Sequence, residues 1–184
     1  AGLCPAFSIS AKCVMRVETP ERLASASSLP RASLNSGTPQ PLTMVQGVDQ
    51  GVAGVLFVGY HARGGAQNAI LDHTWSDERV ANVWLNGRLT GESGLNGAVC
   101  GHFNVPVLMI AGDQTVCAEV QDWFGEVETA VVKTANGRFA ATCLPPSQTQ
   151  ILIEQAAFRA VTKLKAGAAP APLKLTSPIS LVVE

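Results

Sequence analysis

Three apolar runs along the chain predict β-strands. Residues 54–59 and 105–111 consist mainly of Val, Leu, Ile, Phe and Met without a charged side chain. Continuous runs of this length are typical of strands covered on both faces. Residues 128–133, which contain Val131 and Val132, predict a third strand because β-branched side chains favour extended backbone.

Amphipathic segments between and after these runs predict helices over residues 94–103, 115–124 and 147–165. Ser147-x-x-Gln150 fits a capping box at the start of the last helix. Asn86-Gly87 separates two short extended segments and predicts a tight hairpin. Alternation of strands and helices predicts an α/β fold, with a mostly parallel open sheet and helices on both faces.

The amino-acid composition limits the classes of function that the chain can have. The 184 residues are 47% hydrophobic and 15% charged, which indicates a folded chain with a core of ordinary size. A net charge of −1 provides no electrostatic basis for binding nucleic acid or an anionic membrane, so neither partner is predicted. No apolar run approaches the roughly 20 residues of a membrane helix. Five unpatterned cysteines favour a reducing, cytoplasmic location.

The first 31 residues differ from the rest of the chain. They combine Ser, Ala, Pro and Arg with little periodicity, whereas the composition of a packed domain begins near Gly37. We therefore predict that residues 1–31 form a poorly ordered leader that contributes little to the core. Residues 32–172 would form the α/β domain.

Candidate chemistry lies just after apolar segments, at His61, His73 and Glu92. His61 follows the first buried run, and the carboxyl ends of strands are where open α/β sheets place their sites. Two imidazoles and a carboxylate are a ligand set that zinc accepts. Each residue also has a common structural interpretation: His61 as a hydrogen-bonded buried histidine, His73 as a loop histidine, and Glu92 as a carboxylate favoured at a helix start.

Two further residues have open interpretations. Asp113 ends the second apolar run, where it would either cap the following helix or belong to a site, and capping is the commoner role. Arg63 would either bind a substrate carboxylate or form an ion pair within the fold.

Several stretches recur in one family in the same order and at similar spacings: residues 41–49, 59–63, 72–74, 91–96 and 105–113. With them, the chain from about Gly37 to Pro172 resembles the zinc-dependent D-aminopeptidases, which are self-compartmentalising metallopeptidases. The resemblance implies a hydrolase that releases N-terminal D-amino acids from short peptides by metal-activated water. It implies two zinc ions per subunit, a homo-oligomer, His61 and Glu92 as metal ligands and His73 as the catalytic histidine.

The sequence also departs from the family pattern. The family's Asp-x-Glu and Asp-Ser-His ligand motifs do not occur upstream of His61, which leaves two of five expected ligands. Ligand count therefore predicts weak zinc binding and little activity for this chain. Residues 173–184 would begin the family's second domain, and residues 179–184 resemble its first strand. The alternatives are a non-catalytic remnant that serves as a structural or assembly subunit, or a split enzyme completed by another chain.

Overall fold

The computed structural model describes residues 14–16, 33–35 and 39–184, in two compact units that comprise residues 1–53 and 54–184. In the first unit, β1 (Val14–Arg16) pairs in parallel with β2 (Ser33–Asn35). Two short 3-10 helices follow, at Thr43–Val45 and Val48–Gln50. Of the predicted leader, only residues 14–16 are described, so the prediction that it adds little to the core lies outside the described residues.

The second unit has β3 (Val55–Tyr60), β4 (Val83–Leu85), β5 (Arg88–Leu89), helix α1 (Glu92–His102), β6 (Val107–Asp113) and helix α2 (Gln114–Phe124). These are followed by β7 (Glu128–Gly137), β8 (Ala140–Cys143), helix α3 (Pro146–Lys165) and β9 (Leu181–Val183). The main sheet has the order β3-β6-β7-β8. Its first three strands are parallel and β8 is antiparallel to β7.

Strand β6 is the centre of this unit, since every one of its residues is buried. Successive side chains of a strand point to opposite faces, so burial along its whole length requires cover on both faces. Helices α2 and α3 both pack against β6 and β7. Small side chains on α3, Ala156 and Ala160, contact the sheet at Met109 and its neighbours. The predicted α/β class with a mostly parallel sheet is confirmed.

A second, antiparallel sheet has the order β5-β4-β9. Strands β4 and β5 form the hairpin that Asn86-Gly87 predicts. Both turn residues have positive φ, 49° and 76°, which is the conformation that Asn and Gly tolerate best. Strand β9 pairs with β4, with Val182 opposite Trp84. The predicted domain boundary after residue 172 stays a prediction.

The structure differs from the sequence prediction at three places. Among the described residues, β3 is an edge strand of the main sheet and is only partly buried, with Val58 56% exposed, so the predicted cover on both faces is wrong for this strand. Strand β7 continues to Gly137 and returns as β8, a hairpin that the sequence did not indicate. The predicted capping box is wrong: Pro145 is the N-cap of α3, without a side-chain cap, and Pro146 is the first helical residue. Proline fits this position because its fixed φ is already helical and its missing N–H would have no partner there. None of the helices among the described residues is both long and apolar enough to span a membrane.

Candidate metal centre

His61 follows β3 directly, and the backbone of the next residue orients its imidazole. The Nδ1 atom lies 3.1 Å from the Ala62 carbonyl oxygen. A carbonyl can only accept, so Nδ1 donates this hydrogen bond, and Nε2 is the ring atom that can bind a metal when the imidazole is neutral. In the preceding residue, the Tyr60 ring stacks on Phe57 at 4.4 Å and its hydroxyl accepts a hydrogen bond from Asn96.

His73 lies in a loop with unusual backbone. Leu71 and Trp75 have φ values of 52° and 62°, the left-handed region that bulky residues rarely adopt. The turn at Leu71 brings its carbonyl oxygen to 2.7 Å from His73 Nδ1, so that Nδ1 donates this hydrogen bond and Nε2 makes no contact with Leu71. The His73 and His61 rings stack with centroids 3.9 Å apart and an angle of 18°.

Arg138, in the turn between β7 and β8, anchors this loop. Its carbonyl oxygen accepts from Leu71 N at 2.8 Å. Its guanidinium donates to the Asp72 carbonyl oxygen and lies 3.1 Å from the Asp72 carboxylate. That carboxylate also accepts from Gly65 N at 2.8 Å. The segment before His73 is therefore tied to two other parts of the fold.

Glu92 is the first residue of α1. One carboxylate oxygen accepts from Trp75 N at 3.0 Å, and the other lies 3.6 Å from His61 Nε2. The preceding Gly91 lets the helix start approach the end of β3. A Cβ at that position would lie 2.9 Å from Arg63 Cα, closer than side-chain carbons tolerate.

The structure thus brings together the three residues that the sequence singles out. His61, His73 and Glu92 each offer a ligand atom, and these atoms lie within 4.8 Å of one another. His61 and Glu92 are largely buried, with side chains 19% and 11% exposed. Two ligands at 2.0–2.1 Å from a tetrahedral zinc ion are about 3.3 Å apart. The His61–Glu92 separation of 3.6 Å is close to that value, so this pair fits one ion.

The charges of the pair reinforce each other. Burial alone would lower the pKa of His61, but the nearby Glu92 carboxylate, the Ala62 carbonyl and the charge of Glu119 raise it above 6.5. Burial alone would raise the pKa of Glu92, but His61, the Trp75 N–H and His73 lower it below 4.5. In the metal-free protein each side chain therefore favours the charged form of the other. A divalent cation bound by the pair would displace the proton from His61 Nε2, because a metal ligand must be deprotonated.

Glu119, on α2, is the residue near this cluster that the sequence reasoning missed. Its carboxylate accepts from Arg63 N and from Ser93 Oγ, each at 3.0 Å. Burial raises its pKa, an effect opposed by these two donors and by the positive charges nearby. The available signal was its position three residues after Val116 and four before Trp123, on the buried stripe of an amphipathic helix.

The other two candidates have structural partners. Asp113 caps α2, accepting from Thr115 N and Val116 N, so the predicted capping role is confirmed. Its second carboxylate oxygen accepts from Ile70 N at 2.8 Å. The Arg63 guanidinium donates to the Gly64 carbonyl oxygen at 2.9 Å. Its role towards a substrate stays a prediction.

A cleft of about 390 Å³ opens beside His73. Its polar lining includes Asp72, Asp77, Asn82 and Arg138. A molecule in this cleft would lie against the imidazole of His73 and the backbone of Gly64-Gly65.

Comparison with known proteins identifies the family. Residues 20–184 match the family described as D-aminopeptidase. The chain belongs to the D-aminopeptidase family. The matched range contains the whole His61, His73 and Glu92 cluster and extends over residues 20–31 and 173–184 as well.

A sequence match and a structure match, both from Bacillus subtilis, show how far this likeness extends. A D-aminopeptidase of strain 168 is 39% identical over 137 residues, which are 74% of this chain and 49% of that protein. A solved structure, a zinc-dependent D-aminopeptidase described as a self-compartmentalizing protease, matches with a TM-score of 0.78 and 35% identity. That match covers 84% of this chain and 55% of the other. This family member therefore spans about half the length of the relatives it matches, and the resemblance inferred from its motifs is confirmed.

Proposed function

We propose that this chain carries the metal centre of a zinc-dependent aminopeptidase that releases N-terminal D-amino acids from short peptides. The observation that carries the proposal is the convergence of His61, His73 and Glu92 within 4.8 Å in a D-aminopeptidase family member. Zinc dependence is a property of the structurally similar Bacillus subtilis enzyme, and the nitrogen and oxygen donors here suit the same ion.

His61 and Glu92 would hold the metal. Both side chains are oriented by other contacts, His61 through Ala62 and Glu92 through Trp75 N. Such outer contacts fix ligand geometry in established metal sites. Held by these two residues, zinc would contribute a bound water of lowered pKa and polarisation of the scissile carbonyl.

His73 would act as the general base and then the general acid of the reaction. Its Nδ1–H is donated to the Leu71 carbonyl oxygen, so Nε2 can accept a proton from the attacking water and return it to the departing amine. The products are then a free amino acid and a peptide shortened by one residue. The cleft beside His73 is the place where we expect the substrate peptide to lie.

Hydrolysis of D-alanyl dipeptides by the purified chain with added zinc tests the proposal, with L-alanyl dipeptides as the comparison. His73→Ala should lower kcat by about 10²–10⁴-fold, the usual effect of removing a general acid–base group, and should change zinc affinity little. His102→Ala is the matched control, because His102 is exposed at the end of α1. A loss of zinc affinity with His73→Ala would make this histidine a ligand.

A non-catalytic role is the second candidate. The observation that favours it is the sequence upstream of His61, which contains neither Asp-x-Glu nor Asp-Ser-His. A zinc ion held by His61 and Glu92 alone would be bound weakly and mainly by water, without a fixed geometry for attack. Zinc binding without turnover of any alanyl dipeptide would support this candidate over the enzyme.

We also propose that the chain assembles into a homo-oligomer, because the similar solved protein is described as self-compartmentalizing. Light scattering coupled to size-exclusion chromatography tests this, and a monomer at micromolar concentration would contradict it. A cytoplasmic location is proposed from the cysteine content. Two of these cysteines, Cys100 and Cys117, are free and buried.

A further inference from the structure

Glu119 joins the two segments that carry the proposed metal ligands. One of its carboxylate oxygens accepts from Arg63 N, two residues beyond His61, at 3.0 Å. The other accepts from Ser93 Oγ, one residue beyond Glu92, at 3.0 Å. A single side chain on α2 thus contacts the end of β3 and the start of α1.

Placing the Glu119 carboxylate on this face of α2 costs free energy, because the group is partly removed from water. It lies on the stripe of α2 that also contains Val116 and Val120, both fully buried. Removing a carboxylate from water is unfavourable unless donors replace the lost hydration. The Arg63 N–H and the hydroxyl of Ser93, itself fully buried, supply such donors. An apolar residue on this stripe would pack without that requirement, but it could not join the two segments.

The separation of these segments decides whether one metal ion can be shared. His61 Nε2 and a Glu92 carboxylate oxygen are 3.6 Å apart, close to the spacing of two ligands on one ion. Gly91 removes the side chain that would keep the backbones apart, but it provides no attraction between them. The hydrogen bond from Asn96 to the Tyr60 hydroxyl joins α1 to β3 one turn further along the helix. The two hydrogen bonds to Glu119 act next to the ligands themselves, at Arg63 and Ser93.

We propose that Glu119 is a positioning residue whose two carboxylate oxygens hold the end of β3 and the start of α1 at the separation that the metal site requires. The inference rests on the proposed function, since it assumes that His61 and Glu92 bind zinc. Glu119 itself contacts neither proposed ligand directly; it acts through Arg63 and Ser93.

Three substitutions separate geometry from charge. Glu119→Ala removes both hydrogen bonds and the charge. Glu119→Gln removes the charge but keeps both contacts, because the amide oxygen can accept from Arg63 N and the amide nitrogen can donate to the Ser93 hydroxyl. Ser93→Ala removes one hydrogen bond and leaves the charge. Asp122→Ala is the control, an exposed carboxylate on the same helix.

Zinc affinity is measured by calorimetry on the full chain, below the unfolding temperature of each variant. We expect Glu119→Ala to weaken binding about tenfold, the lower end of the effect of residues that orient metal ligands. Glu119→Gln should restore most of the affinity, Ser93→Ala should lie between, and Asp122→Ala should match the parent. The absorption spectrum of the cobalt-substituted chain should change with Glu119→Ala and return with Glu119→Gln, because it reports coordination geometry.

Several results would overturn this role. One is a folded Glu119→Ala variant with the parent's zinc affinity and cobalt spectrum. Another is a Glu119→Gln variant that binds zinc as weakly as Glu119→Ala, because the lost charge would then explain the lost affinity. If Glu119→Ala does not fold, unchanged affinity in Ser93→Ala overturns the role and a loss of about threefold or more supports it. A parent chain that does not bind zinc refutes the metal site and this inference together, whereas a binding parent with unaffected variants refutes this inference alone.

Discussion

The Asp113 carboxylate accepts hydrogen bonds from three backbone N–H groups. Two belong to the first turn of α2, Thr115 at 3.0 Å and Val116 at 2.8 Å. The third is Ile70, in the segment that leads to His73, at 2.8 Å. Asp113 is fully buried, so water cannot replace any bond that is lost without rearrangement of the site.

Two substitutions separate the stability that the helix cap contributes from the stability that the hydrogen bond of Ile70 N contributes. Asp113→Ala removes the cap, which is worth about 0.5–2 kcal/mol, and the bond from Ile70, which is worth about 1.5–3 kcal/mol because the acceptor is charged. We expect a loss of roughly 2–5 kcal/mol in the free energy of unfolding. In Asp113→Asn the single amide oxygen can cap the helix, but the amide nitrogen cannot accept from Ile70. That variant should lose only about 1.5–3 kcal/mol.

Urea unfolding followed by far-UV circular dichroism measures these losses. EDTA is present throughout, so that zinc binding does not add to the stability of the folded state. Asp122→Asn serves as the control: Asp122 is exposed on the same helix, and its replacement should change the free energy by less than about 0.5 kcal/mol. An Asp113→Asn variant as stable as the parent would refute the contribution of the Ile70 bond. Equal losses for Ala and Asn would refute the contribution of the cap.

Three other predictions concern the metal site and the core. Gly91→Ala should weaken zinc binding by about tenfold or more in calorimetry, because its Cβ would lie 2.9 Å from the backbone two residues after His61. In metal-free protein, the raised pKa of His61 stabilises the fold below pH 6.5 and this contribution is lost as pH rises through the folded pKa. The lowered pKa of Glu92 stabilises the fold above pH 4.5 and this contribution is lost as pH falls through the folded pKa. Urea unfolding should therefore show the largest stability difference from His61→Ala between pH 4.5 and 6.5, and a difference independent of pH would contradict the pair. Burial raises the pKa of Cys100 to about 12 and of Cys117 to about 11, so neither thiol should react with iodoacetamide at neutral pH in native protein, as judged by peptide mass spectrometry.

Local sequence patterns were sufficient for much of the fold. The apolar run 105–111 became β6 because a strand in the centre of a parallel sheet must be apolar on both faces. The run 54–59 also became a strand, β3, although it lies at the edge of this sheet and is only partly buried. Asn86-Gly87 specified its hairpin because a tight turn needs two residues that tolerate positive φ. These signals involve neighbouring residues, so a single sequence contains them.

The β7–β8 hairpin and the start of α3 were not predicted, for physical reasons. Strand β8, Ala140–Cys143, is short and largely exposed, so it lacks the hydrophobic alternation that marks a strand. At the start of α3, Ser147 matches a capping motif, but Pro146 already provides a helical φ and the helix begins before the serine.

The sequence indicated which residues form the candidate metal centre, but not which contacts position their side chains. Gly91 permits a close approach that depends on a partner 28 positions earlier along the chain, Arg63. The left-handed conformations of Leu71 and Trp75 are not those that their side chains favour, and contacts with Arg138 and Glu92 fix that loop. Such long-range contacts have no local pattern.

A crystal structure of the chain grown with zinc, with anomalous diffraction recorded at the zinc absorption edge, tests the metal centre most directly. We expect an anomalous peak about 2.0–2.2 Å from His61 Nε2 and from a carboxylate oxygen of Glu92. The His73 imidazole should lie beside the same site, at a longer distance from the zinc ion. An ordered His61–Glu92 pair without a peak at saturating zinc, or with zinc bound only elsewhere on the chain, would show that these residues do not form the metal centre.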